Sequence, residues 1–237
     1  MGVFVLVHGS WHGGWCWEKI APLLQKNGHT VLAPDLPGHG NDNTPIPKIS
    51  LQSYVDCVCK ILDVQREPVT LLGHSRGGIV ISQTAEYRPE KIKKLVYLSA
   101  FLLRNGQSMI ELALQDTDSM IPSNLVFSED KSYHVIKDRS KIREIFYGDC
   151  AERDIVQAMS RWVPEPTAPI ETPLKLTDGN FGRVSRAYIQ CLRDKAVSPM
   201  LQRKMCEAMP CQEMISMNTS HSPFFSKPEE LANLLTQ

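Results

Sequence analysis

At 237 residues the chain can form one large domain or two small ones, and α/β architectures of this length commonly form one. Lys plus Arg and Asp plus Glu both number 26, so the formal net charge is zero. Nothing in that balance would hold a phosphate backbone or an anionic membrane surface, which excludes nucleic acid and membranes as expected partners.

Met1 to Val7 runs straight into an apolar β-type segment with no basic region before it, and no apolar run approaches ~18 residues, so neither a leader nor a membrane span is expected. Val3 to Val7 is a continuous apolar strand signal, broken by His8-Gly9-Ser10. Trp15 to Gln25 has helical apolar spacing and stops at Asn27-Gly28, a C-cap pair. Thr30 to Ala33 reads as a strand, and Pro34 to Gly40 as loop. Ser50 to Gln65 is an amphipathic helix with Leu51, Tyr54, Val55, Val58, Ile61 and Leu62 on one side. Val69 to Leu72 is a buried strand, Gly73 to Gly78 a turn, Ile79 to Tyr87 a helix and Leu95 to Leu98 a strand. This alternation predicts a mostly parallel, twisted sheet with helices on both faces.

Between about Leu102 and Gly182 the rhythm fails and no β run is recognised, so these residues read as an insertion. Arg186 to Leu192 restores a strand, Met200 to Met209 a helix, Glu213 to Met217 a last strand and Leu231 to Leu235 a closing helix. The seven cysteines, Cys16, Cys57, Cys59, Cys150, Cys191, Cys206 and Cys211, are odd in number and lack the spacing of a zinc site or disulfide framework. Reduced thiols and a cytoplasmic location are expected, with Cys57 and Cys59 as packed thiols and no metal site.

Gly73-His74-Ser75-Arg76-Gly77 matches G-x-S-x-G with an apolar strand before it and a helix after. A serine on so sharp a turn takes an unusual backbone conformation, so the positions two before and two after must be nearly devoid of side chain. Ser75 is thus the candidate nucleophile, and the backbone N–H of Arg76 a natural oxyanion donor at the helix N-terminus. A Gly-rich strand-to-helix turn could instead cradle a phosphate. The loop from His8 to Trp15 follows the first strand and should sit beside this elbow, with the N–H of Ser10 as a second donor. Trp11, Trp15 and Trp17 read as packing, and His12 as a loop hydrogen-bonder that could also line the pocket.

A serine needs a histidine to take its proton and a carboxylate to fix that histidine's tautomer, in the chain order Ser, acid, His. His221, after the last strand, is the candidate base; His29 and His39 precede the serine, His74 lies in the elbow and His134 in the insertion. Asp194, two residues past a strand, is the candidate acid, with Asp178 and Glu213 as rivals and a surface pairing with Arg193 or Lys195 as the simpler reading.

Taken together, V-L-V-H-G-S-W-H-G-G-W-C-W, A-P-D-L-P-G-H-G, L-G-H-S-R-G-G and Y-I-Q-C-L-R-D-K resemble the α/β-hydrolase superfamily over essentially the whole chain. Within it they are similar to the plant methylesterases, hydroxynitrile lyases and bacterial carboxylesterases of the pyrethroid-hydrolase type. The resemblance implies a core of residues 1–101 and 183–237 and a helical cap of residues 102–182 inserted after the sixth strand. Met109, Leu112, Met120, Phe127, Phe146 and Trp162 would line the pocket, with helix core as an equally good reading of any one of them, and His12, Phe127 and Trp162 are the candidate substrate contacts. Hydroxynitrile lyases need a lysine after the catalytic histidine; Ser222 stands there, which argues against cyanohydrin cleavage, while His221-Ser222-Pro223-Phe224 looks like the bacterial esterases.

The expectation is a serine carboxylesterase for small-to-medium hydrophobic esters, acting without cofactor on a small-molecule substrate, with a homodimer as an admissible assembly. The alternatives are a lactonase or amidase on the same triad and a small-molecule receptor with weak hydrolysis.

Overall fold

The computed structural model describes residues 1–236. In chain order its elements are β1 (Val3–Val7), α1 (Ile20–Lys26), β2 (Thr30–Leu32), α2 (Leu51–Asp63), β3 (Val69–His74), α3 (Gly77–Tyr87) and β4 (Ile92–Leu98). Then come α4 (Met109–Ala113), α5 (Ile121–Asn124), β5 (Leu125–Phe127), β6 (Tyr133–Ile136), α6 (Arg139–Phe146), α7 (Glu152–Ser160), β7 (Glu165–Pro166) and α8 (Ala168–Glu171). The chain ends with β8 (Arg186–Cys191), α9 (Pro199–Ala208), β9 (Glu213–Met217), α10 (Pro223–Ser226) and α11 (Pro228–Thr236).

Six strands form one parallel sheet in the order β2-β1-β3-β4-β8-β9. Period-two alternation sends successive side chains to opposite faces, and each face has its own core. Val5, Val7, Leu71, Leu95, Tyr97 and Tyr188 pack with α2, α3 and α9, whereas Phe4, Leu6, Leu72, Val96, Leu98 and Ile189 pack with α1, Trp17, Phe224 and α11. Near-continuous apolar strands are what a doubly covered sheet requires. Local signals set the helix ends: Ser50 caps α2 in a reciprocal capping box with Ser53, and α1 closes on Asn27 and Gly28, the latter at φ +82°.

The chain leaves β1 for β2 on one side and returns to β3 on the other, so the switch point lies between β1 and β3, where ligands gather beyond the strand ends. Register carries the β1, β3 and β4 ends to the same edge: Val7 pairs with Gly73, and His74 with Leu98.

Two expectations about the insertion need correction. Residues 102–182 are not purely helical, because β5, β6 and β7 form a three-stranded antiparallel sheet alongside α4 to α8. Its strands have three, four and two residues, the last containing Pro166, too short for alternation to stand out from the sequence. The insertion also follows the fourth strand of this chain, not a sixth; the count of six belongs to the family pattern. A third apolar cluster, with Ile136, Ile142, Ile145, Phe146, Tyr147 and Ile155, joins the insertion to Trp11 and Ala196 of the core.

Candidate active site

Ser75 sits between β3 and α3 at φ +54°, a left-handed conformation that a side chain takes at a cost of order 1–3 kcal/mol. The packing enforces it. A Cβ on Gly73 would meet the carbonyl oxygen of Gly77 at 2.6 Å, and one on Gly77 would meet that of Val7 at 2.8 Å. The strain exposes the hydroxyl at the sheet's carboxyl edge, where Ser75 is 8% accessible. The Ser75 carbonyl accepts from Gly78 and Phe101 N–H, each at 3.0 Å, which fixes the turn from within.

His221 and Asp194 come together after β9 and β8. His221 Nδ1–H donates to Asp194 Oδ2 at 2.7 Å, which leaves Nε2 as the unprotonated nitrogen. Asp194 Oδ1 accepts from Ala196 N–H at 2.7 Å and Val197 N–H at 3.0 Å, while Oδ2 also accepts from the Ser99 hydroxyl and, at 3.3 Å, from Gln202 Nε2. Asp194 is buried; Arg193 pairs with Asp149 and Lys195 with Glu144, so the surface pairing considered for Asp194 is absent. Its rivals lie elsewhere: Glu213 pairs with Lys94 at the surface and Asp178 is exposed in a loop. His74 Nε2–H donates to the His221 carbonyl at 2.9 Å, tying the elbow to the histidine loop. No hydrogen bond among the described residues joins Ser75 Oγ to His221, and such contacts are often loose before substrate binds.

The loop after β1 closes the other side. Trp11 has φ +60° and its N–H is taken by Glu165 Oε2 at 2.8 Å, whereas the N–H groups of Ser10 and Arg76 have no partner among the described residues. A Cβ on Gly9 would lie 2.9 Å from Ser75 Cβ, so the loop presses directly on the elbow. His8 Nδ1–H donates to the Gly9 carbonyl at 2.8 Å, and Nε2 accepts from Leu36 N–H at 3.1 Å; with burial pushing its pKa well below the ordinary value, His8 is a neutral brace. His12 is likewise engaged, donating to the Ser10 carbonyl at 2.7 Å and accepting from Tyr147 OH at 2.7 Å, and burial lowers it to about 4.

The residues named from sequence as pocket lining separate. Met109 and Leu112 pack against the main core, Phe146 faces His221 at 5.6 Å, Trp162 stacks on Trp11 at 5.4 Å, and Met120 joins the same cluster. Phe127 is 37% exposed and leans on His134 at 5.5 Å. Sequence reasoning missed Ser99, Gln202, His39, Asp149 and Glu165. Of these only Ser99 had a legible place, directly after a strand; the others acquire partners 8 to 154 positions away.

The model of the alpha/beta hydrolase family matches residues 4–234. The chain belongs to that family. It is 36% identical to putative methylesterase 11, chloroplastic, of Arabidopsis thaliana over 99% of this chain and 63% of that protein. It is 30% identical to a pyrethroid hydrolase of Sphingobium wenxiniae over 98% of this chain and 85% of that one. The chain spans between 55% and 63% of the length of the first three curated relatives it matches. The crystal structure of polyneuridine aldehyde esterase superposes with a TM-score of 0.90 at 26% identity, covering 100% of this chain and 98% of the other. Identity favours the plant methylesterase over the bacterial enzyme, so it does not single out the bacterial subgroup suggested by the residues after His221. Among the described residues no helix is long and apolar enough to cross a membrane.

Proposed function

We propose that the chain is a serine carboxylesterase acting on small-to-medium hydrophobic esters through an acyl-enzyme on Ser75. The observation that carries this reading is the strained Ser75 at the switch point together with the buried His221–Asp194 pair at the same edge of the sheet. Ser75 Oγ attacks the ester carbonyl carbon while its proton passes to His221 Nε2, and Asp194 holds the resulting imidazolium. The N–H groups of Ser10 and Arg76 receive the developing oxyanion. The alcohol leaves with the proton from His221; a water then enters by the same route and releases the acid. The scheme balances with water alone and calls on no cofactor.

An ester substrate is consistent with relatives named as methylesterases and a pyrethroid hydrolase. Phe146 beside His221, with Trp11 and Trp162 behind it, supports an apolar acyl or alcohol group. We read residues 1–101 and 183–237 as the catalytic core and 102–182 as its cap, since Phe146, Tyr147, Asp149 and Glu165 all contact loops of the site. The test is hydrolysis of a p-nitrophenyl ester series by wild type, Ser75→Ala and His221→Ala. Turnover that falls roughly a thousandfold or more in both variants supports the reading, and chain-length preference sizes the pocket. An inert wild type, or an unaffected Ser75→Ala, overturns it.

A further inference from the structure

One carboxylate outside the Ser75–His221–Asp194 set is wholly buried and surrounded by parts of the same site. Glu165, the first residue of β7, belongs to the insertion, yet every partner its side chain takes lies in the core. Its Oε2 accepts from Trp11 N–H at 2.8 Å and from His39 Nε2–H at 2.9 Å. Its Oε1 lies 2.8 Å from Arg76 Nε, off the N–H direction, so this contact is an ion pair and not a hydrogen bond. Arg76 Nη2 in turn donates to the Gly9 carbonyl at 3.1 Å, and its guanidinium lies 4.5 Å over the Tyr54 ring. These contacts form a closed circuit: Glu165 to Arg76, Arg76 to Gly9, Gly9 through Ser10 to Trp11, and Trp11 back to Glu165. The Gly9–Ser10 peptide, which carries the Ser10 N–H, is on that circuit, and the circuit passes through the side chain of Arg76, whose backbone N–H is the other proposed donor.

We propose that Glu165 is a positioning residue for the oxyanion hole, supplied by the insertion, which holds the Ser10–Trp11 peptide directly and, through the Arg76 side chain, the Gly9–Ser10 peptide whose N–H receives the oxyanion. The proposal rests on the esterase reading. Three features favour it over a purely structural strap. Trp11 is bracketed at both ends, since its carbonyl also accepts from Val163 N–H at 3.4 Å, so the peptides on either side of Trp11 are both tied to the insertion. By occupying Trp11 N–H, Glu165 also decides which N–H of the loop stays free for substrate. Finally, a buried ion pair is a poor route to stability, because apolar residues of similar volume usually do as well. Arg76 and His39 hold the Glu165 carboxyl at about 2 against the opposing effect of burial, so the strap is charged at any working pH.

The experiment compares wild type, Glu165→Gln and the double variant Arg76→Met/Glu165→Leu. The double variant removes both charges, so neither is left buried and unpaired, and Glu165→Gln keeps an acceptor for Trp11 N–H; near-UV circular dichroism and melting establish that each is folded. Two readouts are taken: kcat and KM for a p-nitrophenyl ester, and the rate of Ser75 labelling by a fluorophosphonate, in which Ser75 Oγ displaces fluoride at phosphorus and its proton passes to His221. Misplacing donors without deleting them should lower kcat and the labelling rate together by about ten- to a hundredfold, with KM changed less than threefold and Glu165→Gln falling between wild type and the double variant. Folded variants that keep both rates within twofold overturn the proposal, as does a loss confined to KM. A wild type that labels but does not hydrolyse esters sinks the esterase reading alone and leaves the labelling comparison to decide on Glu165. A wild type that does neither removes both.

Discussion

Two buried carboxylates in this molecule each face a histidine, and the two pairs differ in what a proton transfer would require. Asp194 meets His221, and its other donors are all uncharged: the Ser99 hydroxyl, the Gln202 amide and two backbone N–H groups. Glu165 meets His39, but a guanidinium 2.8 Å away already balances its charge. The histidines differ too. Both nitrogens of His39 are engaged, by Pro37 O at 3.1 Å and by Glu165, whereas Nε2 of His221 has no partner among the described residues. A carboxylate whose charge is not yet neutralised, behind a histidine with one free nitrogen, can support a proton transfer; the same pair closed at both ends can only hold structure.

The largest expected effect tests this contrast directly. Asp194→Asn keeps the shape and an acceptor but removes the charge and the tautomer preference, and kcat/KM for a p-nitrophenyl ester should fall by about three to four orders of magnitude. His39→Gln keeps a donor toward Glu165 and should cost less than about tenfold. Steady-state kinetics on the two variants checks both, and comparable losses would mean that the difference in surroundings does not govern reactivity.

Stability should rank the two sites the other way. Glu165→Leu by itself strands the Arg76 guanidinium among buried groups, and breaking a buried pair from one side typically costs about 3–5 kcal/mol. Asp194→Asn leaves no buried charge unpaired and should cost about 1–3 kcal/mol, the scale of a perturbed buried hydrogen-bond set. Urea unfolding of both variants beside wild type measures the order.

How far each pair could be read from sequence follows from how each is built. Ser75, Asp194 and His221 had legible places because each follows a strand, β3 mostly apolar and β8 and β9 placed by the strand–helix alternation, and the glycines at 73 and 77 mark the turn that strains Ser75. The parallel sheet was legible for the same reason: strands covered on both faces are apolar throughout. Glu165 was not legible. Its strand has two residues, one of them proline, and its partners His39 and Trp11 are 126 and 154 positions away, with Arg76 also remote in sequence. Arg76 illustrates the same limit, since the motif identifies its backbone N–H and says nothing about where its side chain goes.

Acid should separate the contributions further. Burial holds His12 and His134 at about 4, below the ordinary 6.5, so between these values the unfolded chain takes up protons that the folded chain refuses, and stability falls as pH drops from 6.5 to about 4. Glu165 is held at about 2 against an ordinary 4.5, so its contribution is complete above 4.5 and is lost as pH falls from there toward 2. Melting temperatures of wild type should therefore decline over both ranges. Those of Arg76→Met/Glu165→Leu should decline over the upper range and lack the Glu165 part of the lower one.

The last comparison lies between two insertion residues that touch neither carboxylate, and asks whether the insertion acts through contact with substrate or through its straps. Phe127 is 37% exposed on β5 against His134, so Phe127→Ala should change stability by about 0.5 kcal/mol or less. Trp162 stacks on Trp11, packs edge-on to Phe146 at 5.1 Å and donates to Tyr147 OH at 2.8 Å, which in turn donates to His12. Trp162→Ala should thus cost several kcal/mol, on the scale of ~3–5 for a large aromatic side chain, and shift the preferred ester chain length. Chain-length profiles of the two variants are the measurement. A profile moved by Phe127→Ala as much as by Trp162→Ala would place the substrate against the β5–β6 hairpin, and the insertion would then select substrate by direct contact there as well as through its straps.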